Sequence, residues 1–179
     1  MNWTSLLTKQ IDATYTATDG LMKLVKKDDL GWKPKGGKNW MTTGQVMDHL
    51  TNACGWCISA FHTGNWTPPE APKKKGAKEP KMTELGMLAA ESMPTVKTVA
   101  EARKKLAADK QVALDTIAKI GEQGLESTMA AAPWDPATQK SLGEHSLSMV
   151  GHLAQHKAQL FYYLKLQGKP VHTGNLWGM

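Results

Sequence analysis

The sequence predicts an all-α protein, a bundle of four long helices, and three observations lead to this fold class. Apolar residues recur at steps of three and four along four long segments, which is the period of an amphipathic helix. Stretches rich in Gly and Pro separate these segments, and none of them shows the alternation that is typical of a strand. Helices that must each bury one face form a bundle. A chain of 179 residues is the size of one domain, so residues 1–179 are predicted to form a single unit.

The first helix is predicted from Asn2 to about Lys27, and Asp28, Gly31 and Pro34 are expected to end it. Its apolar stripe consists of Leu7, Ile11, Tyr15, Thr18, Met22 and Val25.

The second helix is predicted from Thr42 to Phe61 or His62 as one continuous element. A hydroxyl at Thr42 and an amide at Gln45 form a capping box, which is typical of a helix start. One face of this helix is polar and aromatic, and it carries Gln45, His49, Asn52 and Trp56.

A long connection follows, and residues 66–82 are rich in Lys and Pro. This segment has five lysines and two acidic residues, so it supplies half of the net charge of +6. That distribution favours a solvated loop over a nucleic-acid-binding patch. A short helix is expected at residues 83–93, before Pro94. The length of the 66–97 connection favours a topology other than simple up-down-up-down.

Two further helices complete the bundle. The third opens with a predicted capping box at Thr98 and is expected to stop at Gly121 or Gly124, and residues 133–136 form a loop. The fourth opens with a capping box at Ser141 and runs to about Gln167, where Gly and Pro end it. The tail, residues 171–179, shows no periodicity.

No apolar run approaches the roughly 18 residues that cross a bilayer, and the N-terminus lacks the features of a signal peptide. A cytoplasmic location without membrane contact is therefore expected. Cys54 and Cys57 form a CxxC motif, which is a redox motif when it opens a helix after a strand. Here it lies inside a predicted helix, which favours two small buried residues, and a redox role stays open.

The histidines of the fourth helix carry the main functional hypothesis. His152 and His156 are four residues apart, so they lie on one helix face about 6 Å apart and can bind one divalent metal. His145 shares their stripe with Met149, but it lies about 10 Å from His152 along the axis and is excluded. Leu153 stands where a zinc protease of the HExxH type has its glutamate.

His49 is predicted as the third ligand, because a buried polar helix face is costly unless its groups are paired. Three protein ligands leave coordination positions open for water or substrate. Gln45, Asn52, Trp56 and Met149 are candidates for the surroundings of the metal. Asp48 and Gln155 are further candidates, with a solvent-facing position as the alternative. For His62 and His172 a structural or solvated role is favoured.

The sequence resembles the DinB-like (YfiT-type) family of four-helix bundles. The resemblance rests on TGQVMDHL at residues 43–50, GHLAQHKAQL at 151–160 and YLKLQG at 163–168. It implies an up-down-down-up bundle, a homodimer, and a metal site that falls on His49, His152 and His156. Family members bind zinc, nickel or other divalent ions. Their known activities include thiol-dependent transfers, with low-molecular-weight thiols as co-substrates, and the CxxC and the lysine-rich connection are not features of the family.

Three functional hypotheses follow. The first is a metal-dependent enzyme, a transferase or hydrolase, that acts on a small molecule and uses a thiol; its catalytic residues are unknown. The second is a non-catalytic bundle that binds a metal or a small molecule, of the stress-response type. The third is a structural bundle in which the histidines are satisfied core groups.

Overall fold

The structure, a computed structural model, describes residues 2–67 and 88–179 and is mostly helical there. Most of the predicted 66–82 loop, and residues 83–87 of the predicted short helix, lie outside the described residues. Residues 90–92 form one turn of 3₁₀ helix. The elements in chain order are α1 (Trp3–Met22), α2 (Thr43–Leu50), α3 (Gly55–Thr63), α4 (Val99–Ser127), β1 (Met129–Ala132), β2 (Asp135–Ser141), α5 (Leu142–Leu166) and α6 (Thr173–Trp177).

Helix α1 buries the stripe that was predicted from its sequence. The Asn2 side chain accepts a hydrogen bond from the backbone N–H of Ser5 and caps the helix start. The helix ends at Met22, five residues before the predicted Lys27. The Asp29 side chain accepts from the backbone N–H of Lys26, and this local bond stabilises a 3₁₀ turn at residues 27–29 in place of a longer helix.

The predicted second helix is two helices, α2 and α3, and the prediction of one continuous element was wrong. The backbone turns at residues 51–54, and Gly55 begins α3 against helix α4. A Cβ atom at Gly55 would lie 2.0 Å from the backbone oxygen of Asp109. The Asp109 carboxylate accepts hydrogen bonds from the N–H groups of Gly55 (2.9 Å) and Trp56 (2.7 Å). A carboxylate on a distant helix therefore caps α3, which no local pattern predicts.

Helix α4 breaks at Gly121, which was one of its two predicted ends, and helical structure resumes after it. Gly121 has φ 68°, so it makes a kink, and the helix runs on to Ser127. Just after the kink, the Glu122 carboxylate accepts from the backbone N–H groups of Trp3 and Thr4 and caps α1. At the start of α4 only half of the predicted capping box forms, because Glu101 accepts from the N–H of Lys97.

The segment before α5 was predicted to contain no strand, and the structure corrects this with an antiparallel hairpin of β1 and β2. Its register pairs Met129 with Ser141, and it shifts between Ala131 and Ala132 at a bulge. Most side chains of β2 are exposed, so no apolar alternation marks the strand in the sequence. The tail also contains a helix, α6, which His172 caps by accepting from the N–H of Gly174.

The packing brings the histidine-bearing helices together. Helix α1 packs against α4, α5 and α6, helix α3 packs against α4 and α5, and α2 packs against α5. The capping boxes at Thr42 and Ser141 form as predicted and fix where α2 and α5 begin. Within the described parts of the chain, no helix combines the length and the apolar character that crossing a bilayer requires.

Candidate metal centre

Three histidine side chains from two helices converge on one point. His49 comes from α2, and His152 and His156 come from successive turns of α5. The Nε2 atom of His152 lies 3.2 Å from Nε2 of His49 and 3.1 Å from Nε2 of His156. One ring nitrogen of each histidine lies within 4.8 Å of those of the other two. The structure thus brings together all three residues that the sequence analysis grouped.

The proton position on His152 follows from its other ring nitrogen. Nδ1 of His152 lies 3.1 Å from the backbone oxygen of Ala53. A carbonyl oxygen can only accept, so Nδ1 carries the hydrogen and Nε2 presents its lone pair to the cluster. Ala53 lies in the turn between α2 and α3, where its carbonyl is available to a side chain. The break in the predicted second helix therefore supplies the partner of His152.

The spacing of the nitrogens fits a divalent ion. An ion that binds imidazole nitrogens at about 2.1 Å, at angles of 90° to 109°, holds them about 3.0–3.4 Å apart. The two Nε2–Nε2 distances at His152, 3.2 and 3.1 Å, are within that range. A metal-bound histidine commonly donates its second N–H to a carbonyl oxygen, as His152 does to Ala53.

Burial lowers the pKa values of two of the three histidines, His49 and His152. Burial, with a smaller contribution from the neighbouring His156 and His152, lowers the pKa of His49 to about 3. Burial also lowers the pKa of His152, and the ring of His156 adds to that effect. Neutral imidazoles present lone pairs, which is the form that binds metals.

Some of the predicted surroundings of the metal make their contacts elsewhere. The Gln45 side chain completes the cap of α2, and its Nε2 donates to the carbonyl oxygens of Ala90 and Met93, both at 2.8 Å. Gln45 thus anchors the segment before α4. Asp48 pairs with Lys105 at 3.5 Å, and Gln155 is exposed.

The side chains of the other predicted residues, Asn52, Trp56 and Met149, make no hydrogen bond to the three histidine rings among the described residues. Asn52 lies in the turn after α2, and its carbonyl accepts from the Cys57 thiol. The Trp56 ring packs edge-on against Trp66 at 5.9 Å. Met149 is buried and lines a cavity of about 90 Å³ together with His145 and residues of the hairpin.

His145 is outside the cluster, as its helix position predicted. Its ring stacks on Phe61 at 3.9 Å, and its Nε2 donates to the carbonyl oxygen of Ala130. Phe61 also contacts the rings of Trp66 and Trp134. This aromatic group, Phe61, Trp66, Trp134 and His145, joins α3, α5 and the hairpin.

The two cysteines are free and buried. The break between α2 and α3 places Cys54 at the N-cap of α3, so the motif opens a helix and does not lie inside one. Burial raises the pKa of the Cys54 thiol well above its ordinary value and raises that of Cys57 to about 12. Both thiols are therefore protonated near neutral pH, which favours the structural interpretation over a redox role.

The sequence analysis did not predict two contacts to the histidines. The Gln159 side chain lies 2.8 Å from Nδ1 of His156, and the Ala53 carbonyl reaches His152. Gln159 follows His156 by three residues on α5, so helix spacing could have identified it. No sequence pattern marks Ala53, because its role depends on the helix break.

Two comparisons with known proteins found a similar family and a similar fold. The family model described as the DinB superfamily matches residues 10–160, which include all three histidines. A similar solved structure is the crystal structure of a proposed member of the DinB family from Exiguobacterium sibiricum. It has a TM-score of 0.64 and 16% sequence identity, and the alignment covers 98% of each chain. At this identity the likeness shows the fold alone. Among curated proteins, none matches the chain significantly.

Proposed function

The chain belongs to the DinB superfamily, and from this premise we propose that His49, His152 and His156 hold the divalent metal ion of a metal-dependent enzyme. The observation that carries the proposal is the convergence of three Nε2 atoms, with that of His152 at 3.2 and 3.1 Å from the other two. Three half-buried imidazoles whose Nε2 atoms face one another are a costly arrangement without a partner but a suitable one for a cation.

The chemistry follows from the number of ligands. Three protein nitrogens leave one to three positions for water or substrate, and zinc or nickel suits an all-imidazole set. A bound divalent ion would supply Lewis acidity and lower the pKa of a water molecule or a thiol at an open position. The Ala53 carbonyl and the Gln159 side chain hold the rings of His152 and His156 through their Nδ1 atoms. We propose a transferase or hydrolase that acts on a small molecule, with a low-molecular-weight thiol as co-substrate.

The proposed architecture is an up-down-down-up four-helix bundle that forms one domain over residues 1–179 and assembles as a homodimer. The packing of α1, α4 and α5 with the α2–α3 pair supports the bundle. Size-exclusion chromatography with light scattering tests the dimer, and a monomer at all concentrations would contradict it.

A second candidate function is a bundle that binds a metal or a small molecule without turnover. Across residues 2–67 and 88–179, no carboxylate joins the histidine cluster as a general base. The nearest acid of α5, Glu144, is engaged at Ser141 as a helix cap. Replacing His156 by alanine separates the two functions, since an enzyme would lose a defined activity and a binding protein has none to lose.

Elemental analysis of protein purified without chelators tests the metal site. Wild-type protein is expected to carry about one divalent ion per chain, and His49→Ala is expected to lose most of it, because a two-nitrogen site binds far more weakly. The matched control is His62→Ala, which removes a half-buried histidine of α3 that is not in the cluster. Wild-type protein without bound metal, or equal metal content in both variants, would contradict the proposal.

A further inference from the structure

A series of three hydrogen bonds, which we call the relay, links the histidine cluster to the backbone before α2. It runs from His156 through Gln159 and Tyr163 to Met41. Nδ1 of His156 lies 2.8 Å from Oε1 of Gln159, and Nε2 of Gln159 lies 3.2 Å from the Tyr163 hydroxyl. The Tyr163 hydroxyl lies 2.9 Å from the carbonyl oxygen of Met41, just before α2. The three side chains are three and four residues apart on α5, so they follow one helix face.

The direction of every hydrogen bond in the relay is fixed by its last member. The Met41 carbonyl can only accept, so the Tyr163 hydroxyl must donate to it. The hydroxyl oxygen then accepts from the Gln159 amide, which turns the amide oxygen towards His156. An amide oxygen only accepts, so Nδ1 of His156 must carry the hydrogen. The lone pair of His156 is therefore on Nε2, the nitrogen that faces His152.

Burial protects this arrangement from exchange with water. Tyr163 is 2% exposed, and the rings of Trp32 and Trp40 pack edge-on against it at 5.2 and 6.3 Å. Burial raises the pKa of the Tyr163 hydroxyl, so it stays protonated and continues to donate. Water cannot readily replace the Tyr163 hydroxyl, and a reversed Gln159 amide would set its oxygen against the hydroxyl oxygen, whose hydrogen is already donated to Met41.

We propose that Gln159 and Tyr163 are positioning residues that fix the tautomer of His156, so that its Nε2 is available to a metal ion. The inference rests on the proposed function, because it assumes that the histidine cluster binds metal. The Ala53 carbonyl does the same for His152. The two Nε2 atoms, each with its lone pair exposed to the other, then lie 3.1 Å apart, which is a spacing that a divalent ion can bridge. The partner of His156 is the Gln159 side chain, which mutation can replace, whereas the partner of His152 is a backbone carbonyl, which mutation leaves in place.

The test measures zinc affinity by competition with a chromophoric chelator. Gln159→Leu is expected to weaken zinc binding about 10- to 100-fold, because His156 then populates the tautomer that has no lone pair on Nε2. Gln159→Glu is expected to stay within about threefold of wild type, since a carboxylate also accepts from Nδ1. Tyr163→Phe is expected to give a smaller loss than Gln159→Leu, because the amide can then reverse.

The two variants that remove a hydrogen-bonding group, Gln159→Leu and Tyr163→Phe, each have a matched control on the same helix. Gln155→Leu and Tyr162→Phe change the same residue types at exposed positions next to the relay, and both are expected to bind zinc as wild type does. Circular dichroism checks that each variant is folded. Leucine and glutamate are both good helix formers, so a difference between them at position 159 reports the hydrogen bond and not the helix.

A spectroscopic measurement reports the tautomer directly. Long-range ¹H–¹⁵N correlation spectra are expected to show His156 of wild type protonated at Nδ1, and to show a mixture of tautomers in zinc-free Gln159→Leu. Unchanged affinity and an unchanged tautomer in Gln159→Leu would overturn the relay alone. An equal loss of affinity in Gln155→Leu would also overturn it. Wild-type protein that binds no zinc would overturn the metal site, and this inference with it.

Discussion

At the scale of single residues, Gly55 lies where the backbones of α3 and α4 approach closely. A Cβ atom at Gly55 would lie 2.0 Å from the backbone oxygen of Asp109. Backbone atoms cannot move aside as a flexible side chain can. Glycine at this position therefore permits the contact between α3 and α4. The contact in turn sets the turn at residues 51–54, from which the Ala53 carbonyl reaches His152.

Replacing this glycine is expected to be costly. Gly55→Ala should destabilise the protein by about 3 kcal/mol, because α3 must separate from α4 to make room for the methyl group. The matched control is Gly20→Ala on α1, where nothing lies within 4 Å of the added carbon. That variant should gain about 0.5–1 kcal/mol from helix propensity. Urea unfolding measures both, and a Gly55→Ala variant as stable as wild type would show that α3 is not packed as described.

At the scale of secondary-structure elements, the start of α3 depends on a buried carboxylate from α4. Burial raises the pKa of Asp109, and hydrogen bonds from the Tyr15 hydroxyl and the N–H groups of Gly55 and Trp56 oppose that rise. The Tyr15 hydroxyl lies 2.6 Å from Asp109 and also accepts from Gly55. These contacts join α1, α3 and α4 at one point in the core.

Removing the carboxylate should leave the Tyr15 hydroxyl and the Trp56 N–H without this acceptor, and the Gly55 N–H with only the 3.1 Å hydrogen bond to the Tyr15 oxygen. Asp109→Ala is therefore expected to lower the free energy of unfolding by about 3 kcal/mol, and Tyr15→Phe by about 1 kcal/mol. The control is Asp115→Ala, an exposed position of α4 whose side chain accepts a hydrogen bond from Gln111; its effect should stay within about 0.5 kcal/mol. Equal effects of Asp109→Ala and Asp115→Ala in urea unfolding would rule out this role of Asp109.

At the scale of the whole molecule, metal binding and stability are linked. An ion that binds only the folded chain stabilises it by about 2.7 kcal/mol at a concentration 100 times its Kd. For a domain of this size, that corresponds to a rise in Tm of about 5–10 °C. Zinc should produce this rise in wild-type protein and little in His49→Ala, as differential scanning calorimetry can measure. A rise of the same size in the variant would place the zinc elsewhere.

Much of the fold and most of the candidate site are local properties of the sequence. The burial of the α1 stripe follows from apolar spacing, and the starts of α2 and α5 follow from capping boxes of four residues. The proximity of His152 to His156 follows from the pitch of a single helix. His49 required one additional step, the cost of a buried polar face, and the structure brings it to the other two.

Two of the errors in the prediction share a physical origin, which is that distant contacts override local preference. The second helix is broken at residues 51–54 because Asp109, more than fifty residues away, caps a new helix at Gly55. Helix α4 continues beyond Gly121, and Glu122 there caps the start of α1. The hairpin forms from strands whose side chains are mostly exposed, so its backbone pairing leaves no periodic pattern.

The helical class and the pairing of His152 with His156 follow from the sequence alone, because helix pitch and apolar spacing act over a few residues. Only tertiary contacts bear on which ring nitrogen of His152 and of His156 presents its lone pair to the cluster. The Ala53 carbonyl and the Tyr163–Gln159 relay fix those protons, and both depend on segments that meet only in the folded chain. Hydrogen-bond direction is a property of partners in contact, and contacts across about a hundred residues are made by folding and not by local sequence.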